Sequence, residues 1–82
     1  MQCLRNSILV YHHNMNIVYK RLKELREENK LLQKQLAVEL GVSQVTIARW
    51  ESGNREPSID MLIKIAKFFS VSIDYLVGVE VV

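Results

Sequence analysis

The chain has 82 residues, 49% of them hydrophobic, enough for one packed core and too few to make a second domain expected. A domain this small keeps a deep catalytic cleft only with help from a metal or disulfides, and Cys3 is the single cysteine, so neither an internal disulfide nor a cysteine pair for zinc is available. The net charge of +2 is too modest to establish a nucleic-acid partner, and the cations Lys20, Arg21, Lys23, Arg26, Lys30 and Lys34 are interleaved with Glu24, Glu27 and Glu28, which suits a solvated helix face as well as a phosphate-binding one.

The N-terminal run Ile8 to Tyr11 is β-branched and aromatic without a helical period, a composition compatible with a short strand or a flexible tail. Met15 is a second candidate start, which would make the residues before it an upstream extension. From Val18 to Asn29, Val18, Leu22 and Leu25 recur at helical spacing and predict a first helix. A second is predicted from Gln33 to Leu40, with Leu36, Ala37 and Leu40 turned inward and Gly41 as its left-handed stop. Ser43 is placed to cap a third, Gln44 to Glu51. The turn formers of SGNREP read as an exposed loop, and Ser58 then caps a fourth helix ending near Phe69, with Leu62, Ile65, Ala66 and Phe69 on one face. Ser72 caps a last short helix, Ile73 to Val77, closed by Gly78. Val79 to Val82 again has strand composition.

Two short helices joined by a tight turn cross steeply only if the residues between them are small or closely fitted. Ala37 lets the third helix approach, Gly41 makes the turn, Val42 fills the corner, and Ile47 with Trp50 anchors the inner face. The outer face is left with Gln44, Val45, Ala48 and Arg49. Glutamine can bond an adenine edge twice, arginine can do the same to guanine, and small apolar groups suit the thymine methyl.

Residues 17–78 resemble the Cro and phage-repressor type of helix-turn-helix family, often called the Xre family. The resemblance rests on QLAVELGVS, then Ile47, then ESG followed by Pro57, then LIKIAKFFSVSIDYLVG, all in the family's order and spacing. It implies an all-α, five-helix lambda-repressor-like DNA-binding domain, with short strands at the two chain ends as an accessory feature. It further implies that Gln33 touches a phosphate and buttresses the recognition helix, that Gln44, Val45 and Arg49 face bases, and that Ser43 and Thr46 reach phosphate or sugar. Asn54 and Arg55 would lie along the DNA backbone, where donors set register without reading sequence. Arg26 and Glu51 occupy positions that commonly pair. The chain departs from the family at Leu32, where a Ser or Thr cap is usual, which leaves the second helix to begin later or to lean on a bound phosphate. Lys30 replaces a frequent glycine, so that Lys30 or Asn29 must take the left-handed conformation.

Together these readings divide the chain into an N-terminal extension (1–15), a DNA-binding domain (16–78) and a C-terminal tail (79–82). No apolar run reaches the roughly 18 residues of a membrane helix. The adjacent His12 and His13 lack further ligands for a metal, and no catalytic arrangement or cofactor motif emerges. The expectation is a cytoplasmic, non-enzymatic, sequence-specific repressor that needs no cofactor, binds double-stranded DNA as a homodimer on a palindromic operator, and has no second domain to sense a ligand. The alternative is an antitoxin or other protein-interaction module, whose tails ILVY or VGVEVV would add a strand to a protein partner's sheet.

Overall fold

A computed structural model of the chain describes residues 9–11 and 16–81. In chain order the elements are β1 (Leu9–Tyr11), α1 (Asn16–Glu28), α2 (Gln33–Leu40), α3 (Gln44–Ser52), α4 (Ile59–Phe69), α5 (Ile73–Val77) and β2 (Val79–Val81). The predicted five-helix, all-α architecture is therefore present among the described residues. The two terminal runs are strands that pair antiparallel with each other, Leu9 opposite Val81 and Tyr11 opposite Val79. Cys3, Ile8, His12, His13, Met15 and Val82 lie outside the described residues.

The starts of α2 to α5 have identifiable chemical causes. Ser43, Ser58 and Ser72 each sit in extended backbone and accept a hydrogen bond from the amide three residues on, at 3.1, 3.2 and 3.0 Å. Helix α2 is the exception. It starts at Gln33, as predicted, although Leu32 offers no side-chain acceptor, so the alternative of a later start does not hold. The Gln35 carboxamide oxygen reaches back to accept from the Leu32 amide at 2.8 Å, while the Leu32 carbonyl accepts from Leu36 at 3.0 Å. This is one half of a capping box, and it holds the first turn without a polar cap residue.

The helix ends are equally specific. Lys30, not Asn29, takes the left-handed conformation after α1, at φ +56°, and the Asn29 side chain instead donates to the Leu25 carbonyl at 2.8 Å. Gly41 at φ +72° lets the Val42 amide return to the Ala37 carbonyl at 3.0 Å, closing α2 just before α3 begins. Lys64, from α4, donates to the Leu40 carbonyl at 3.0 Å and so satisfies an acceptor at the end of α2. Gly78, at φ +80°, is doubly constrained, since a Cβ there would stand 3.0 Å from Ile17 Cγ2 of α1.

The core lies where α1, α2, α3, α4 and α5 converge. Leu22 and Leu25 of α1, Leu36, Ala37 and Leu40 of α2, Ile47 and Trp50 of α3, Ile65 and Ala66 of α4, and Leu76 of α5 form one buried cluster. Ile47 is completely buried, and burying such a side chain contributes about 1.5–3 kcal/mol. Helix α3 packs against both α1 and α2, which fixes the angle at which its other face meets solvent. None of the helices among the described residues is long and apolar enough to cross a membrane.

Candidate nucleic-acid interface

Helix α3 advances by about 100° per residue, so Gln44, Ala48, Val45 and Arg49 fall in succession within an arc of about 140°. Ile47 and Trp50 occupy the opposing arc and are buried, and Glu51, within about 20° of Gln44 in azimuth but two turns further along the helix, is buried as well. Gln44 and Arg49 are exposed, Ala48 is half-buried, and Val45 is 57% exposed. The division into a held face and a presented face follows from the helical period of the sequence and is realised in the fold.

The inner end of α3 is tied down by a buried ionic cluster. Arg26 donates through Nε to Glu51 Oε2 at 2.6 Å and through Nη2 to Glu51 Oε1 at 3.0 Å, with side chains only 11% and 3% exposed. A planar guanidinium meeting a carboxylate with two donors is the strong form of this contact. The remaining Nη1 donates to the Leu31 carbonyl at 2.8 Å, in the turn between α1 and α2. The hydrogen bond to Glu51 is the main influence raising the guanidinium pKa above its ordinary value, opposed by burial. Gln33, the first residue of α2, completes the cluster by donating from Nε2 to Glu51 Oε1 at 3.1 Å. One carboxylate thus joins α1, the start of α2 and the last turn of α3.

Around the presented arc, the other predicted site residues take distinct positions. Ser43 Oγ accepts from the Thr46 amide and lies 3.0 Å from Thr46 Oγ1. The two hydroxyls therefore share one proton between them and retain one O–H donor for an outside acceptor. Asn54 and Arg55 are exposed beyond Gly53, but their main-chain amides both donate to the Arg49 carbonyl, at 3.0 and 3.3 Å. Only their side chains therefore remain as donors for a DNA backbone. Arg49 and Arg55 border an open depression of about 240 Å³ together with Glu56 and Ser58, floored by Trp50 and Met61. The bond from Gln33 to Glu51 gives the expected buttress of the recognition helix a partner that the sequence did not name, and the depression has no local sequence signal because it forms between residues of α3 and those at and beyond its following loop.

The helix-turn-helix family profile matches residues 22–76 of the chain. Over 61 residues the chain is 46% identical to the HTH-type transcriptional activator BcrR of Enterococcus faecalis, a match covering 74% of this chain and 30% of BcrR. It is similar in structure to the P22 c2 repressor protein solved in complex with a synthetic operator, with a TM-score of 0.69 and 33% identity over 73% of this chain and 91% of that one. It is also similar to part of the hydroxypropylphosphonic acid epoxidase from S. wedmorenis, with a TM-score of 0.71 and 32% identity over 79% of this chain and 35% of the epoxidase. The chain spans about half or less of the length of several curated relatives that it matches. The epoxidase shows that this helical arrangement also occurs within an enzyme, so the function must be argued from the site.

Proposed function

The chain belongs to the helix-turn-helix family, and from that premise we propose that it is a sequence-specific DNA-binding transcriptional regulator. The observation that carries this reading is the outer arc of α3, where Gln44, Val45 and Arg49 are presented to solvent by a helix whose opposite side is buried and ionically anchored. An amide, a guanidinium and a branched alkyl group on one rigid helix suit the major groove, where adenine, guanine and thymine present matching edges. Ser43 and Thr46 at the start of that helix, the Asn54 and Arg55 side chains beyond its end, and Gln33 beside it would reach the sugar-phosphate backbone and set the register.

We take residues 16–78 as the DNA-binding unit and propose a homodimer on a palindromic operator, with half-sites about one helical turn apart. Repression is put first, because a domain seated on an operator blocks other proteins by its volume alone, whereas activation needs a further productive contact. Such a regulator would act in the cytoplasm, without catalysis and without a cofactor. The reading as a protein-interaction module stands second, since the terminal runs on which it depends pair with each other within the described structure.

Selection of bound sites from random DNA, followed by affinity measurements across salt concentrations, tests the proposal. Enriched sequences should show two symmetric half-sites, and affinity should fall linearly on a logarithmic scale with salt, as counterions are released from the contacted phosphates. Binding that is absent, or insensitive to salt, refutes it.

A further inference from the structure

Glu51 is buried in the last turn of α3, yet it bonds directly to one of the residues assigned to the DNA backbone. Its Oε1 atom accepts from Arg26 Nη2 at 3.0 Å and from Gln33 Nε2 at 3.1 Å. From this geometry we infer that Glu51 is a positioning residue for DNA binding, acting through Gln33 by fixing which end of its side-chain amide faces outward. The inference rests on the reading above, in which Gln33 meets a phosphate.

An ionised carboxylate only accepts, so Gln33 must turn its NH₂ group, and not its carbonyl, toward Glu51. The orientation of a glutamine amide is ordinarily ambiguous, but here the partner dictates it. One Nε2 hydrogen is used on Glu51 and the second is free to donate. A phosphate oxygen is also a pure acceptor, so an amide held by its nitrogen end beside the DNA offers it the group it requires. Without the carboxylate, the amide could present its carbonyl instead, and two acceptors would face each other. Arg26 is necessary to this arrangement because its paired donors neutralise and orient the carboxylate that holds Gln33.

The test uses the full chain and an operator obtained by site selection, with affinities read by fluorescence anisotropy for the wild type, Gln33→Ala, Glu51→Gln and the double variant. In Glu51→Gln the partner can itself donate, so the Gln33 amide loses its imposed orientation while side-chain size is kept. Each single change should weaken binding roughly tenfold, equivalent to about 1.4 kcal/mol, and the double variant should be no weaker than either single. Operators carrying one methylphosphonate at a time supply a readout that a purely structural role would leave alone. The phosphate whose neutralisation weakens the wild type but not Gln33→Ala should also have no effect on Glu51→Gln. Additive losses, or retained sensitivity at that phosphate in Glu51→Gln, overturn this inference while leaving the functional reading intact. A wild type that binds no DNA removes both.

A measurement on the free wild type keeps the inference testable if Glu51→Gln does not fold. One Gln33 side-chain amide proton should be shifted in the NMR spectrum and protected from exchange relative to the exposed Gln44 amide. Indistinguishable amides overturn the inference.

Discussion

Replacing Arg26 with methionine keeps much of the aliphatic stem of the side chain and removes the guanidinium. The change strands the Glu51 carboxylate, which is 3% exposed, with Gln33 as its remaining bonded partner in the cluster, and it deprives the Leu31 carbonyl of a donor. Removing one partner of a buried pair costs about 3–5 kcal/mol. A chain of this length has a total stability of about 4–12 kcal/mol, so the variant should lose a large part of it. Each kcal/mol lowers the melting temperature of a domain this size by about 4–8 °C, so the midpoint followed by circular dichroism should drop by at least about 12 °C. Adding Glu51→Leu should recover most of that loss, because the uncompensated charge is then gone. A loss under about 1 kcal/mol for Arg26→Met, the value of a solvent-exposed pair, would refute the view that burial gives this contact its weight. The guanidinium pKa is raised, mainly by its hydrogen bond to Glu51. The linked stabilisation is therefore fully present below the unfolded-state value and is lost only as pH rises through the higher folded-state value, so it should stay constant on the guanidinium's account between neutral and moderately alkaline pH.

Two of the three left-handed glycines, Gly41 and Gly78, should separate cleanly in a thermal melt. Gly41→Ala should cost about 1–2 kcal/mol from backbone strain alone, since the added methyl would meet only the far end of Lys64. Gly78→Ala should cost about 1–3 kcal/mol more, because its methyl would press on Ile17 at 3.0 Å; equal losses would contradict the packing described. Ser43→Ala removes the acceptor for the Thr46 amide and should destabilise by about 1 kcal/mol in urea titrations. Gln44→Ala or Arg49→Ala should relax preference at particular operator bases, by about 1–3 kcal/mol for each lost paired contact; uniform losses on all sequences would argue against base reading.

Most of the helical framework was legible because its punctuation is local. Ser43, Ser58 and Ser72 announce three helix starts, and Gly41 and Gly78 announce two ends, each through a conformation or hydrogen bond that depends on adjacent residues. The start of α2 was less legible, because the residue that compensates for Leu32 is Gln35, one turn into the helix. Ser70 takes a left-handed conformation at φ +58° after α4 with no residue-type signal to mark it. Lys64 and Arg26 look like ordinary helix-face cations in sequence, and only the packing of distant elements brings them to the Leu40 and Leu31 carbonyls. At the candidate site, the two faces of α3 follow from periodicity. The separate duties of Gln33, Ser43, Thr46, Asn54 and Arg55 were given by family resemblance, and their hydrogen-bond surroundings come from the fold.

The pairing of β1 with β2 brings Leu9 beside Val81 across nearly the whole chain. The docking of α1 against α5, with Ile17 beside Gly78, already closes most of that separation, so the ribbon adds only three residues in each strand to ends that the core has brought together. Contacts so distant in sequence form after the local helices have docked, and a ribbon this short has little to hold it closed once formed. The ribbon therefore acts as a late-closing clasp, whose amides should exchange with solvent through local opening, well before those of α3.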